Sequence, residues 1–342
     1  MIIHILCNDG SPLGIHYSDI FGNNERIGIG GAELSLFTLA EGWVKSGHTV
    51  VLYNNPKYMN KSPFEQAQIS SFNKHDKRDV LIIFRSPNQK VIGANGKIVW
   101  FSTDQYTVGD FKHFSQFCDM VVTISKFHSE YFASQYEIRQ TTTIDLPVRS
   151  WEYEDSVEKI SNRIIFTSVP DRGLWQVSKI FPQIKSEVPD ATLVITSDYR
   201  LWGIQSPNNQ QFVQAFMRQG GVEFLGAVPR KRLIEEQQKA QIHLYPGVYD
   251  ELFCISVAES QVASVLPITS TTGALETTNM GVLIDGNPND TNSQKAFVEK
   301  VVEYLRNPAL PEIQKSLREK ALKRFSIENI LHQWSEKVFY DC

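Results

Sequence analysis

Short, continuously apolar runs alternate along the chain with stretches whose apolar residues recur every three or four positions, and the two periods predict strands and helices in turn. In the first half, 2–6, 49–53, 80–84, 98–101 and 120–124 read as strands. Their runs are apolar without strict alternation, which predicts parallel strands covered on both faces. Helical spacing runs over 31–47, with Leu36, Leu39, Ala40 and Trp43 on one face, and again over 126–135. The polar, charged stretch 149–162 reads as a linker.

The pattern then restarts. Strands are predicted at 163–167, 192–196, 222–225, 241–245, 266–270 and 282–284, with helices at 173–185, 210–218, 230–239 and 253–263 between them. Three helical patterns, 293–305, 311–323 and 327–339, finish the chain. Two successive β–α arrays predict an α/β protein with two Rossmann-like doubly wound parallel-sheet domains, 1–150 and 163–325, facing a central cleft. Ligands in such sheets sit beyond the carboxyl ends of the strands, so the loops that follow strands carry most of the functional weight.

Composition narrows the picture. A length of 342 residues suits two domains, and 42% apolar with 21% charged residues supplies a large core and excludes a disordered chain. A net charge of −4 argues against nucleic acid as a partner, because phosphate backbones select basic faces. No apolar run approaches the roughly 18 residues of a membrane span. Residues 1–150 carry equal numbers of acidic and basic side chains, so nothing draws this half to anionic lipid, although peripheral membrane contact stays open. The first seven residues lack the basic leader of a signal peptide. Cys7, Cys118, Cys254 and Cys342 lie far apart with no C-x-x-C pair, which predicts reduced, cytoplasmic usage and no zinc framework.

Three motifs carry candidate chemistry. Gly28-Ile-Gly30-Gly31-Ala-Glu33 precedes the helical pattern at 31–47, where glycines let backbone N–H groups approach an anion at a helix start. It is a helix-entry turn, a phosphate-facing turn or, less well, a dinucleotide fingerprint. The last would follow its strand at once and be matched by an acid at the end of the second strand, yet the glycines are displaced from Leu6 and that strand ends in Asn54 and Asn55. Ser168-Val-Pro-Asp-Arg172-Gly173 follows a strand and opens a helix, so Arg172 either aims a permanent fork of donors at an anion or pairs locally with Asp171. Glu251 and Glu259 lie eight apart, the second within the predicted helix at 253–263; eight helical residues rise about 12 Å, enough for two parts of one extended ligand. Glu259 sits among Val257, Ala258 and Val262, and a carboxylate in such company requires donors, from a ligand's hydroxyls or from the backbone.

In this order the motifs resemble the retaining, nucleotide-sugar-dependent GT-B glycosyltransferases, the large family that includes sucrose and glycogen synthases. The resemblance spans nearly the whole chain. It rests on Gly30-Gly31-Ala-Glu33 and IVWFSTD…DMVVTISKFHSEYF in the amino half, and on FTSVPDRGL, PDATLVI, VEFLGAVPRKRL and DELFCISVAESQ…LPITSTTGALETT in the carboxyl half. It implies transfer of a sugar from a UDP- or GDP-linked donor to a glycan or other hydroxyl acceptor, with retention and no metal or other cofactor. By resemblance, Glu259 holds ribose hydroxyls, Glu251 binds the donor sugar, and Arg172 neutralises the diphosphate with help from the backbone of Phe253 and Cys254. Gly30 and Gly31 close over the phosphates, Leu225 and Gly226 lie near the base, and the last helix crosses back to the amino domain.

The departures are specific. Ser168 stands in the region of the usual upstream Arg, Ser264 where Gly is common, and Thr103-Asp104 near the usual amino-domain His. Same-face attack needs no protein base, so Asp104 is a candidate for positioning the acceptor, or for a base should the enzyme invert. Arg85, following a strand, reads an anionic acceptor or forms an ion pair; with Glu33 and Thr103 it completes the acceptor-side candidates. A non-catalytic nucleotide- or glycan-binding GT-B-like module is the alternative function, and a nicotinamide-dependent oxidoreductase the less favoured one.

Overall fold

The structure, a computed structural model, describes residues 1–8, 10, 12–22, 28–104, 109–154, 157–202 and 209–340. It divides into two compact units. The first comprises Met1–Glu25, Gly31–Pro147 and Ile327–Cys342, and the second Arg26–Gly30 and Val148–Ser326.

The first unit is built on a parallel sheet of seven strands: β1 (Ile2–Cys7), β2 (Thr49–Tyr53), β3 (Glu65–Ala67), β4 (Val80–Phe84), β5 (Lys97–Phe101), β6 (Met120–Thr123) and β7 (Thr142–Thr143). The spatial order is β3-β2-β1-β4-β5-β6-β7. Helix Gly31–Lys45 covers one face with a buried run from Glu33 to Trp43. The final helix, Ile327–Lys337, packs on it: Trp334 meets Trp43 edge-on with ring centres 5.1 Å apart, and Gly42 lets Leu331 and Ile327 approach the helix backbone. Lys97 Nζ donates to the Val338 carbonyl at 2.8 Å, tying the segment after the final helix to the start of β5.

The second unit repeats the plan with six parallel strands: β8 (Arg163–Thr167), β9 (Thr192–Thr196), β10 (Val222–Phe224), β11 (Ile242–Tyr245), β12 (Leu266–Ser270) and β13 (Val282–Ile284). Their order is β10-β9-β8-β11-β12-β13. Both sheets are therefore doubly wound, reversing direction between β1 and β4 and between β8 and β11. A crevice opens at such a reversal because the loops on its two sides leave toward opposite faces. The apolar core of the second unit wraps β8, β9, β11 and β12 with Ile180, Phe181, Ile184, Phe297 and Val301 from covering helices.

Two expectations need correction. The predicted linker is not a solvated spacer: Val148 already pairs with Ser326, Val148 N donates to the Phe325 carbonyl at 2.8 Å, and Arg149 and Tyr153 are buried. The second unit thus begins at its own strap and not at the next strand. The edge strands β3 and β7 escape the apolar pattern because they are two or three residues long and no second sheet neighbour covers their outer side.

Candidate active site

In the second unit the chain leaves β8 through Ser168 and Val169 into a single turn, Pro170–Arg172, with proline at its start. Gly173 follows at φ 121°, and a Cβ there would lie 2.3 Å from the Pro246 carbonyl oxygen. Only glycine lets the loop after β8 press against the loop after β11 this closely. That contact brings Arg172 to Glu251 across the reversal point, with Nε 3.0 Å from Oε1 and each side chain 14% exposed. Burial pulls the Arg172 pKa down, but Glu251, Tyr245 and Tyr249 outweigh it and hold the guanidinium above its ordinary value.

Tyr245, the last residue of β11, donates its hydroxyl to Glu251 Oε1 at 2.7 Å and lies 3.3 Å from Ser168 Oγ. Burial above all, with Cys254 and Glu251 nearby, keeps this phenol protonated well beyond its usual range. Tyr249 places its ring under Arg172, the guanidinium carbon 3.3 Å from the ring centre. Gly273, at φ 59°, packs on the main chain of Glu251, and the Glu251 carbonyl accepts from Ala274 N at 2.7 Å. Cys254 takes the left-handed conformation at φ 70° just before helix Ile255–Val262, and burial raises its thiol pKa to about 12, so it is no nucleophile at neutral pH. Phe253 is buried edge-on against Phe325.

Ser168, Arg172 and Glu251 thus form one cluster, joined by Tyr245 and Tyr249, which the sequence motifs did not single out. Glu259 belongs to a second one. It is buried, and its Oε1 accepts from Arg230 Nη1 at 2.8 Å. Arg230 Nε bonds Glu152 Oε2 at 2.6 Å, and Arg149 Nε bonds Glu152 Oε1 at 2.7 Å. The donors that Glu259 requires come partly from this chain, through an arginine that no local spacing reveals.

Leu225 and Gly226 follow β10. Gly226 has φ 68°, and a Cβ there would approach Asp198 Oδ2 at 3.4 Å and Arg200 Nη2 at 3.5 Å. Asp198 and Arg200 form an ion pair at 2.6 Å. Gly31 opens helix Gly31–Lys45 with Gly30 just before it.

In the first unit a third cluster sits at the corresponding reversal. Arg85, directly after β4 at φ 73°, bonds Glu33 Oε1 at 3.3 Å through Nη1 and Asp104 Oδ2 at 2.6 Å through Nη2. Gly10, after β1, lies close enough that a Cβ would sit 3.2 Å from Arg85 Nη1. Arg85 thus forms the ion pair that is one of its two readings, with a carboxylate on each terminal nitrogen. The Asp104 carbonyl accepts from Ser102 Oγ at 3.1 Å, and Thr103 Oγ1 is buried with no hydrogen-bond partner among the described residues. The acid expected of a dinucleotide site is replaced by Asn54, fully buried, whose amide donates to the Pro12 and Ile15 carbonyls at 3.0 and 2.7 Å. That position shapes the loop after β1.

Among the described residues no group of three or more His, Cys, Asp or Glu side chains could hold a metal ion, and no helix is long and apolar enough to cross a membrane.

A family model for glycosyl transferases group 1 matches residues 161–324, which takes in the Arg172–Glu251 cluster and Glu259. No curated protein sequence matches the chain. Among solved structures, sucrose-phosphate synthase from Thermosynechococcus elongatus is 15% identical with a TM-score of 0.75, covering 100% of both chains. A glycosyltransferase from Rickettsia africae is 15% identical with a TM-score of 0.74, over 98% of this chain and 96% of that one. Anabaena HepE in complex with UDP-glucose is 17% identical with a TM-score of 0.71, over 99% of this chain and 100% of that one. At these identities the likeness is one of fold. Residues 161–324 thus match the glycosyl transferases group 1 model, in a chain whose pair of doubly wound sheets has the GT-B fold.

Proposed function

We propose that this protein transfers a glycosyl group from a UDP- or GDP-linked sugar to a hydroxyl acceptor in the cytoplasm, with retention at the anomeric carbon and without a metal ion. The observation that carries this reading is the Arg172–Glu251 pair at the β8–β11 reversal, inside the domain that matches the family. The HepE neighbour, solved with UDP-glucose, supports the choice of donor class.

Breaking the sugar–phosphate bond leaves a diphosphate with growing negative charge and an electron-poor anomeric carbon. In this reading Arg172 stabilises the leaving diphosphate in a site shielded from water, where a fixed cation acts more strongly than in bulk solvent. Glu251 accepts hydrogen bonds from sugar hydroxyls. Its carboxylate has about four lone-pair sites, so the Tyr245 and Arg172 contacts leave capacity for a ligand. The same count lets Glu259 accept from ribose hydroxyls while it keeps Arg230. The acceptor oxygen bonds to the anomeric carbon as the phosphate oxygen departs, and the acceptor's proton passes to that departing oxygen. In this reading Asp104, paired with Arg85, accepts a hydrogen bond from an acceptor hydroxyl.

Thermal-shift and calorimetric titration with UDP-glucose, UDP-galactose, UDP-N-acetylglucosamine, GDP-mannose and their free diphosphates test the reading. A donor at 100 times its dissociation constant raises stability by about 2.7 kcal/mol. Incubation with donor and sugar alcohols, with and without EDTA, followed by NMR of the anomeric proton, tests retention and metal independence. A protein that no nucleotide sugar stabilises would overturn the proposal, and an inverted product or loss of activity with EDTA would overturn the respective part.

A further inference from the structure

The guanidinium of Arg172 is gripped on one edge and one face. Its Nε lies against Glu251 Oε1 at 3.0 Å, and its carbon lies 3.3 Å from the centre of the Tyr249 ring. A guanidinium has five N–H donors, one on Nε and four on the two terminal nitrogens. With Nε directed at Glu251, the terminal fork is the part suited to a pair of phosphate oxygens. The fork is useful only if the plane is held, since an arginine side chain otherwise samples many rotamers and loses entropy on binding. The carboxylate holds one edge, and a ring lying on the face restrains rotation about that contact. Tyr249 is partly buried in the loop after β11, two residues before Glu251, so one short loop supplies both restraints.

We propose that Tyr249 is a positioning residue for Arg172: its ring orients the guanidinium so that the terminal nitrogens meet the diphosphate of the donor. This inference rests on the reading of the site as a nucleotide-sugar site and adds a residue to it. It predicts that the aromatic ring matters and the phenolic hydroxyl does not, and that the effect falls on the second phosphate and not on the nucleoside.

Calorimetric titration of UDP against UMP, and of GDP against GMP, measures the affinity that the second phosphate adds. Tyr249→Leu is expected to reduce the diphosphate-over-monophosphate ratio about five- to tenfold, the range of a partly desolvated cation–π contact. Tyr249→Phe is expected to keep the wild-type ratio. If Tyr249→Leu weakens mono- and diphosphate equally, the residue is only structural and the inference is overturned. It is overturned too if Tyr249→Phe loses as much as Tyr249→Leu, since the hydroxyl would then be the active part. If the wild-type protein itself shows no preference for diphosphates, the nucleotide-sugar reading fails first and takes this inference with it.

Discussion

Arg230 Nη1 lies 2.8 Å from Glu259 Oε1, with the two side chains only 10% and 4% exposed. Arg230 also holds Glu152, which in turn holds Arg149, so two arginines and two glutamates form a charge-balanced chain from the strap at the start of the second unit to helix Ile255–Val262. A buried pair of this kind contributes little against a well-packed apolar substitute, yet breaking one side of it is expensive because the other charge is stranded.

Arg230→Met is therefore expected to destabilise the protein by about 3–5 kcal/mol in urea unfolding, since it strands Glu259. Glu152 keeps Arg149 and adds less. The double variant Arg230→Met with Glu259→Met is expected to recover most of that loss, since no isolated charge remains at the helix. Additive losses in the double-mutant cycle would show that the two side chains are not coupled.

The glycine opposite the sugar-binding candidate gives a second prediction. A Cβ at Gly273 would lie 2.6 Å from both Glu251 N and Glu251 O, on a backbone already at φ 59°. Gly273→Ala cannot be absorbed by a side-chain movement, because main-chain atoms stand in the way. It is expected to lower stability by roughly 2 kcal/mol, the scale of a non-glycine residue forced into a poorly populated conformation. Displacing Glu251 is also expected to weaken a nucleotide sugar more than the free nucleoside diphosphate. Equal weakening of both ligands in calorimetry would separate Gly273 from sugar binding.

What the sequence exposes and what it hides follow from range. Strands such as β4 and β5 are legible because burial on both faces writes a continuous apolar run, and the restart of the pattern at Arg163 reveals the second sheet. Arg172 and Glu251 are legible because each lies in a loop just after a strand. Their meeting at 3.0 Å follows from the strand order, which no local period encodes. Arg149, Glu152 and Tyr153 read as linker because they are polar; their burial depends on Arg230, Gln237 and Arg318, far along the chain. Arg85 illustrates the same limit, since Glu33 reaches it from the first turn of helix Gly31–Lys45 and Asp104 from the loop after β5.

Ser264 stands where the resembled family commonly has glycine, and its backbone explains why: φ is 56°, in the left-handed region. A residue with a Cβ pays about 1–2 kcal/mol there. Ser264→Gly removes that strain at the cost of a more flexible unfolded chain, so a net gain of about 0.5–1 kcal/mol is expected. A rise in melting temperature checks it; an unchanged or lower value would mean that the serine side chain contributes contacts worth as much as the strain.

Lys159 supplies the pH test. Burial, reinforced by Arg318, lowers its pKa from the ordinary 10.5 to about 7, and its ammonium donates to the Ala263 carbonyl at 2.8 Å. The depressed value means that the folded state binds this proton less tightly than the unfolded chain does. Between pH 7 and 10.5 the unfolded chain therefore carries the extra proton, and stability from this group rises with pH across that window. Below pH 7 both states are protonated and the cost of burying the charge is present in full. Lys159→Met removes the titration, so the variant's advantage over wild type should be largest at and below pH 7 and should shrink steadily toward pH 10. Urea unfolding of both proteins at pH 6, 8 and 10 measures the difference, and comparing the pair cancels the other groups that titrate in that range. A difference that does not change with pH would mean that the ammonium stays charged in the folded protein, solvated well enough that burial leaves its proton affinity unaltered.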